Sequence, residues 1–182
     1  TAYQHAPAPA ATTKPHAGGP ATDDDEIAPS ADDDDNEKDA APEQSGFPDK
    51  WIDGTKCPDE EKIQTWQHAP GVFILRQSIC TSFEAPFMYL IVGRKKAILI
   101  DTGDGKIELG DKVDELLDGK KVDLVVAHSH SHGDHVKGDD KFTDRPKTTV
   151  VGYSPTQVYA TFKIDAATMK PGSIDLGDRV ID

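Results

Sequence analysis

Short apolar runs recur along the chain from residue 71 onward, separated by polar breaks. "GVFILRQ" (71–77), "PFMYLIVG" (86–93) and "AILIDTG" (97–103) predict three strands. The last two are joined by the charged turn "RKK", which reads as a hairpin. Their runs are apolar at nearly every position until Asp101, so both faces of the sheet should be buried. In "GKIELGDKVDELLDGKK" (105–121), Val113, Leu116 and Leu117 recur at i, i+3 and i+4, and Gly119 follows. That is an amphipathic helix with a glycine stop. "VDLVVAH" (122–128) and "TTVVGY" (148–153) are further buried strands. "SPTQVYATF" (154–162) opens as a helix, with Ser154 as N-cap and Pro155 at its first position. "GSIDLGDRVID" (172–182) alternates like two short strands about Gly177.

The stretch "WIDGTKCPDEEKIQTWQHAPG" (51–71) has no such clear period. It reads as an irregular lead-in whose Trp51 and Trp66 pack onto the domain, and His68 before the Pro-Gly turn is structural. The remaining order is strand, strand, strand, helix, strand, strand, helix. It predicts an α/β fold with both sheet faces covered.

Composition divides the chain unevenly. Residues 1–50 carry 12 Asp/Glu against 3 Lys and seven of the 13 prolines. Their large apolar residues are few. Such a segment cannot bury enough surface to offset its ordering entropy, so a disordered, solvated Pro/Ala/Asp-rich leader is expected. His5 and His16 belong to it and are not assigned to any site. Residues 51–182 carry 21 acids and 17 bases, ordinary for a folded domain. A net charge of −4 without a basic-aromatic patch argues against nucleic acid as a partner. No run is apolar enough to span a bilayer. Cys57 and Cys80 have no zinc-motif spacing; one disulfide between them is slightly favoured over two unpaired thiols. A disulfide and an acidic leader would both suit an extracellular, periplasmic or cell-surface protein, with the cytoplasm as the alternative.

The chemistry concentrates in "VVAHSHSHGDHVKG" (125–138), which holds four of the seven histidines: His128, His130, His132 and His135. It follows a buried strand, at the edge where α/β proteins form ligand sites. Two histidines two apart in an extended segment point to one side, with Cα atoms about 6–7 Å apart, and both rings can reach one ion. Zinc favours imidazole and carboxylate ligands. Two registers compete. His128, His130 and His132 form H-x-H-x-H; His130, His132, Asp134 and His135 form H-x-H-x-D-H. The second uses both ligand types and includes Gly133, whose backbone freedom would let the chain turn. It is the favoured register, and it leaves His128 a buried or capping role.

These residues resemble a known family. "SHSHGDHVKG" (129–138) looks like the signature of the metallo-β-lactamase-fold hydrolases, and the upstream "YLIVGRKKAILIDTGDG" (89–105) resembles that family's strand pair ending in an Asp-Thr-Gly turn. The resemblance implies a four-layer αββα sandwich, of which residues 71–182 would be the first half. It implies two zinc ions, iron or manganese being possible substitutes. His130 and His132 would ligate the first ion, and Asp134 and His135 the second. Asp134 would also be catalytic, orienting the bridging hydroxide. Asp101 would hydrogen-bond a ligand histidine from behind. The family's third histidine for the first ion, its bridging aspartate and its last histidine have no counterpart, because no histidine follows His135. The chain is therefore expected to be a fragment, weakly active or inactive by itself.

For the intact protein the expected reaction is zinc-dependent hydrolysis of a small-molecule ester, thioester, lactone or lactam. Zinc-bound hydroxide would be the nucleophile. The alternatives are a phosphodiesterase, an iron-dependent oxygenase or oxidoreductase on the same fold, and a non-catalytic metal-binding module.

Overall fold

The computed structural model describes residues 46–182. Most of the expected leader, with its acid runs, His5 and His16, lies outside the described residues.

Six strands form one sheet in chain order. β1 (Ile63–Ala69), β2 (Val72–Gln77), β3 (Phe87–Val92) and β4 (Lys96–Ile100) make an antiparallel meander. β5 (Asp123–Ala127) and β6 (Thr148–Val150) then add in parallel to β4 and to one another. Parallel neighbours need crossovers. α1 (Leu109–Leu117) supplies the first; the single-turn helices α2 (Gly133–Val136) and α3 (Asp140–Thr143) lie in the second. α4 (Pro155–Phe162) and the two-stranded β7 (Ile174–Asp175) and β8 (Val180–Ile181) complete the chain.

Strand alternation sorts the core into two layers. On one face Leu75, Leu90, Ala97, Leu99, Leu124 and Val126 pack with Val113 and Leu117 of α1 and Phe142 of α3. On the other, Ile98, Val125 and Ala127 pack with Leu176, next to Val158 and Phe162 of α4. The intervening residues of β4 and β5 thus point both ways, as their unbroken apolar runs predict. This is a mixed α/β sheet with helices, consistent with one half of the expected sandwich.

The helix ends follow the local chemistry. α1 stops at Asp118, which adopts a left-handed backbone just before Gly119. In α4, Ser154 Oγ accepts from the Gln157 backbone N–H, and Pro155 occupies the first turn.

The lead-in 51–71 is a correction. It contains β1, seven residues long and paired to β2 with an irregularity between Gln67 and Ala69. β1 lies at the sheet edge and most of its residues are only half-buried, so Gln64, Thr65 and Gln67 dilute the apolar signal. Trp51 packs edge-on against Phe87, and Trp66 Nε1 donates to the Gly46 carbonyl at 2.9 Å. His68 is exposed, with Nδ1 3.0 Å from the same carbonyl. Cys57 and Cys80 are disulfide-bonded, which ties the segment before β1 to the loop after β2. Glu60 bonds both sides of that junction, accepting from the Gly54 backbone at 3.0 Å and from Ser78 Oγ at 2.6 Å. Among the described residues no helix is long and apolar enough to cross a membrane.

Candidate metal centre

The parallel pairing of β4 with β5 sets Ile100 beside Ala127, so the turns after both strands leave the sheet together. Residues 101–107 follow β4 and residues 128–138 follow β5. β4 ends earlier than the predicted 97–103 because Asp101 turns left-handed, with φ 68°. That conformation is uncommon for a residue with a side chain, and Asp tolerates it better than most. It is held by the Asp101 backbone N–H, which donates to the Ala127 carbonyl at 2.8 Å.

The bend aims the buried Asp101 carboxylate across at the histidine turn. One oxygen accepts from the Ser129 backbone N–H at 2.8 Å. The other accepts from Ser129 Oγ at 2.7 Å and lies 2.8 Å from His135 Nδ1. A carboxylate opposite Nδ1 fixes the ring with its hydrogen on that nitrogen and frees the Nε2 lone pair. His135 Nε2 faces Asp134 Oδ2 at 3.0 Å. Two lone-pair-bearing atoms that close need a proton or a cation between them. This donor pair, imidazole nitrogen beside carboxylate oxygen, suits a divalent metal.

His130 and His132 lie on the extended stretch before α2, and both are exposed. Their ring centroids are 4.6 Å apart, and the His130 ring is 4.0 Å from that of His135. The turn therefore gathers His130, His132, Asp134 and His135. The donors are grouped rather than converged: among the described residues no three His, Cys, Asp or Glu side chains are arranged to hold an ion.

His128 stands apart from the exposed rings. Its side chain is 2% exposed. Nδ1 lies 3.1 Å from the Val151 carbonyl and Nε2 lies 2.8 Å from Asp139 Oδ1. A carbonyl only accepts, so Nδ1 donates there, and Nε2 faces the Asp139 carboxylate. Both nitrogens are thus engaged inside the fold.

The sequence reading missed Ser129, Thr102 and Asp139. Thr102 is buried, and its N–H donates to the His135 carbonyl at 2.8 Å while its Oγ1 donates to Asp139 Oδ1 at 2.9 Å. Thr102 adjoins Asp101 in the "DTG" run and was within reach of inference. Asp139 sits in an unremarkable "GDD" loop, and no spacing rule points to it. The role expected of Gly133 also shifts. It has an ordinary helical backbone at the start of α2, and a side chain there would meet only the flexible end of Lys137. The glycine that the packing requires is Gly138, where a Cβ would collide with the Thr102 carbonyl oxygen.

The turn after Asp101 is pinned from below by Gln77, whose Nε2 donates to Asp104 Oδ1 at 2.6 Å. Burial pulls the Asp104 carboxyl upward, but hydrogen bonds from Lys106 and Gln77 outweigh it and hold the group below the usual carboxylate range.

The sequence pattern of the metallo-beta-lactamase superfamily matches residues 82–173, just over half the chain and all of the turns described above. This chain belongs to the metallo-beta-lactamase superfamily. Members of the superfamily are generally hydrolytic enzymes and typically bind divalent metals. Comparison with curated proteins returns no match. Membership accounts for the order seen here, with a strand pair ending in Asp-Thr-Gly, one helix, one strand and the histidine turn.

Proposed function

We propose that the intact protein is a metal-dependent hydrolase acting on a small molecule with an ester, thioester, lactone or lactam bond. One observation carries the reading. Asp101 fixes the hydrogen of His135 on Nδ1 and leaves Nε2 beside Asp134 as a ready donor pair. His130 and His132 would hold one ion, and Asp134 and His135 a second, with zinc the expected metal. When bound, the metal would supply Lewis acidity and a nucleophilic water at neutral pH. Asp134 contributes a carboxylate that orients the attacking water and accepts its proton, a role worth about 10²–10⁴-fold in rate. Asp101 and Ser129 keep the His135 ring from rotating. The disulfide also supports an oxidising compartment for the protein, outside the cytoplasm.

The test is hydrolysis of nitrophenyl ester, thioester, lactone and β-lactam probes by zinc-loaded protein expressed from the full-length gene, with metal content measured in parallel. Turnover of at least one probe is expected, with a loss of about 10²-fold or more in Asp134→Ala. Iron without zinc in the purified protein, or turnover of phosphodiesters alone, would replace the carbonyl-hydrolase reading.

A further inference from the structure

Behind the exposed rings runs a second, part-buried chain of hydrogen bonds that uses none of the expected ligands' free nitrogens. Asp139 Oδ1 is its hub, 2.8 Å from His128 Nε2 and 2.9 Å from Thr102 Oγ1. His128 Nδ1 anchors that hub to the Val151 carbonyl, just past β6. The Thr102 N–H anchors it to the His135 carbonyl. Gly138 permits the approach, since any side chain there would strike the Thr102 carbonyl. The chain of contacts thus joins the ends of β4, β5 and β6 to the backbone of the histidine turn.

Asp139 lies four residues beyond His135, and its Oδ1 meets His128 and Thr102 rather than the exposed rings. His128 occupies the end of a strand whose preceding residues, Leu124–Ala127, are all buried and apolar. A buried imidazole there has an uncompensated polar cost unless both nitrogens are matched. Asp139 and Val151 match them. The pairing therefore has a structural cause: it matches both nitrogens of the buried His128 ring.

We propose that Asp139 is a positioning residue for the metal centre, acting through His128 and Thr102 to hold the backbone of residues 129–137 in the shape that presents His130, His132, Asp134 and His135. Asp101 orients one ring directly; Asp139 fixes the turn on which all four donors ride. The consequence for metal affinity rests on the metal-centre reading above. The consequence for the turn itself does not.

Two measurements on the same variants separate these. The first is amide hydrogen exchange of the metal-free protein. Asp139→Ala should speed exchange about tenfold or more at residues 129–137, with the β2–β4 amides unchanged. Thr102→Val, which keeps the backbone N–H and loses the hydroxyl, should do the same to a smaller degree, and Thr102→Ser should restore the wild-type pattern. The second is cobalt(II) affinity by chelator competition with the visible spectrum recorded. Asp139→Ala should weaken binding about 10–100-fold, as removal of such supporting partners does, and should alter the cobalt bands. Leu117→Ala serves as the control, because it loosens the cluster under α1, which contains none of the network's residues. It should lower stability and leave both readouts in place.

Unchanged exchange at 129–137 in Asp139→Ala and Thr102→Val, or a uniform rise across the sheet matched by Leu117→Ala, overturns the proposal. If Asp139→Ala does not fold, the Thr102→Val and Thr102→Ser pair decides. If the wild-type protein takes up no cobalt, the metal-centre reading falls, and the exchange result alone judges the role of Asp139 in shaping the turn.

Discussion

His135 and His130 are five residues apart on one turn, and the fold treats them differently. His135 is built in: its ring meets Asp101 on one side and Asp134 on the other, and its carbonyl is held by Thr102. His130 is exposed; its neighbours are the rings of His132 and His135 and the hydroxyl of Ser129. The difference shows where the scaffold invests its order. The half of the turn nearest β4 is set before any ligand arrives, whereas the outer half keeps its donors in solvent. Fixed donors lower the entropic cost of binding, and free ones retain adaptability.

The largest expected break in this contrast comes from Asp101→Ala. It leaves the Ser129 N–H and His135 Nδ1 without their buried partner and should cost about 3 kcal/mol in denaturant unfolding. His130→Ala should change stability by less than about 0.5 kcal/mol, as exposed substitutions do. Equal losses in the two variants would mean that the inner half is no better built than the outer. Gly138→Ala comes next, with a loss of about 2 kcal/mol from overpacking against Thr102. A crystal structure of that variant should show residues 129–138 displaced from the 101–107 turn; an unmoved turn would show that the close approach is unimportant. Ser129→Ala removes the hydroxyl contacts to Asp101 and His130 but keeps the backbone N–H to Asp101, and should cost about 1 kcal/mol by the same unfolding assay.

The smallest effect concerns the support beneath the inner half. The Asp104 carboxyl is held below its ordinary range, so its contribution to stability is full above the unfolded carboxylate pKa of about 3.9 and fades as pH falls through the lower folded value. Asp104→Asn should therefore flatten the acid limb of the stability profile by about 1 kcal/mol or less, given the exposed Lys106 partner. A variant profile that parallels the wild type below pH 4 would remove Asp104 from the supports of that turn.

The contrast also marks what could be read from the chain. Buried strands announce themselves through runs such as "AILI" and "LVVA", and α1 through Val113 and Leu117, because one dominant force sets both pattern and position. The grouping of His130, His132, Asp134 and His135 was legible because their spacing is local. β1 escaped because an edge strand buries little and so needs few apolar residues. Asp139 escaped for a different reason. Its partners Thr102 and His128 are 37 and 11 residues away, and only the parallel register of β4 and β5 brings them together. A hydrogen bond over such a distance leaves no periodic trace in one sequence. Gly133 and Gly138 teach the same point: Gly133 was expected to supply the freedom to turn, and only the neighbouring Thr102 carbonyl marks Gly138 as the one that must lack a side chain.

The disulfide has one more consequence, a mechanical one. Cys57 precedes β1 and Cys80 follows β2, so the bond spans the whole β1–β2 hairpin. Tension applied to the chain upstream of Cys57 passes through the sulfur bridge straight to Cys80. The hairpin is bypassed, and its edge strand cannot be unzipped from that end. The load arrives instead at residues 81–86 and the start of β3, so the first element to feel a pull is the strand whose partner, β4, leads into Asp101.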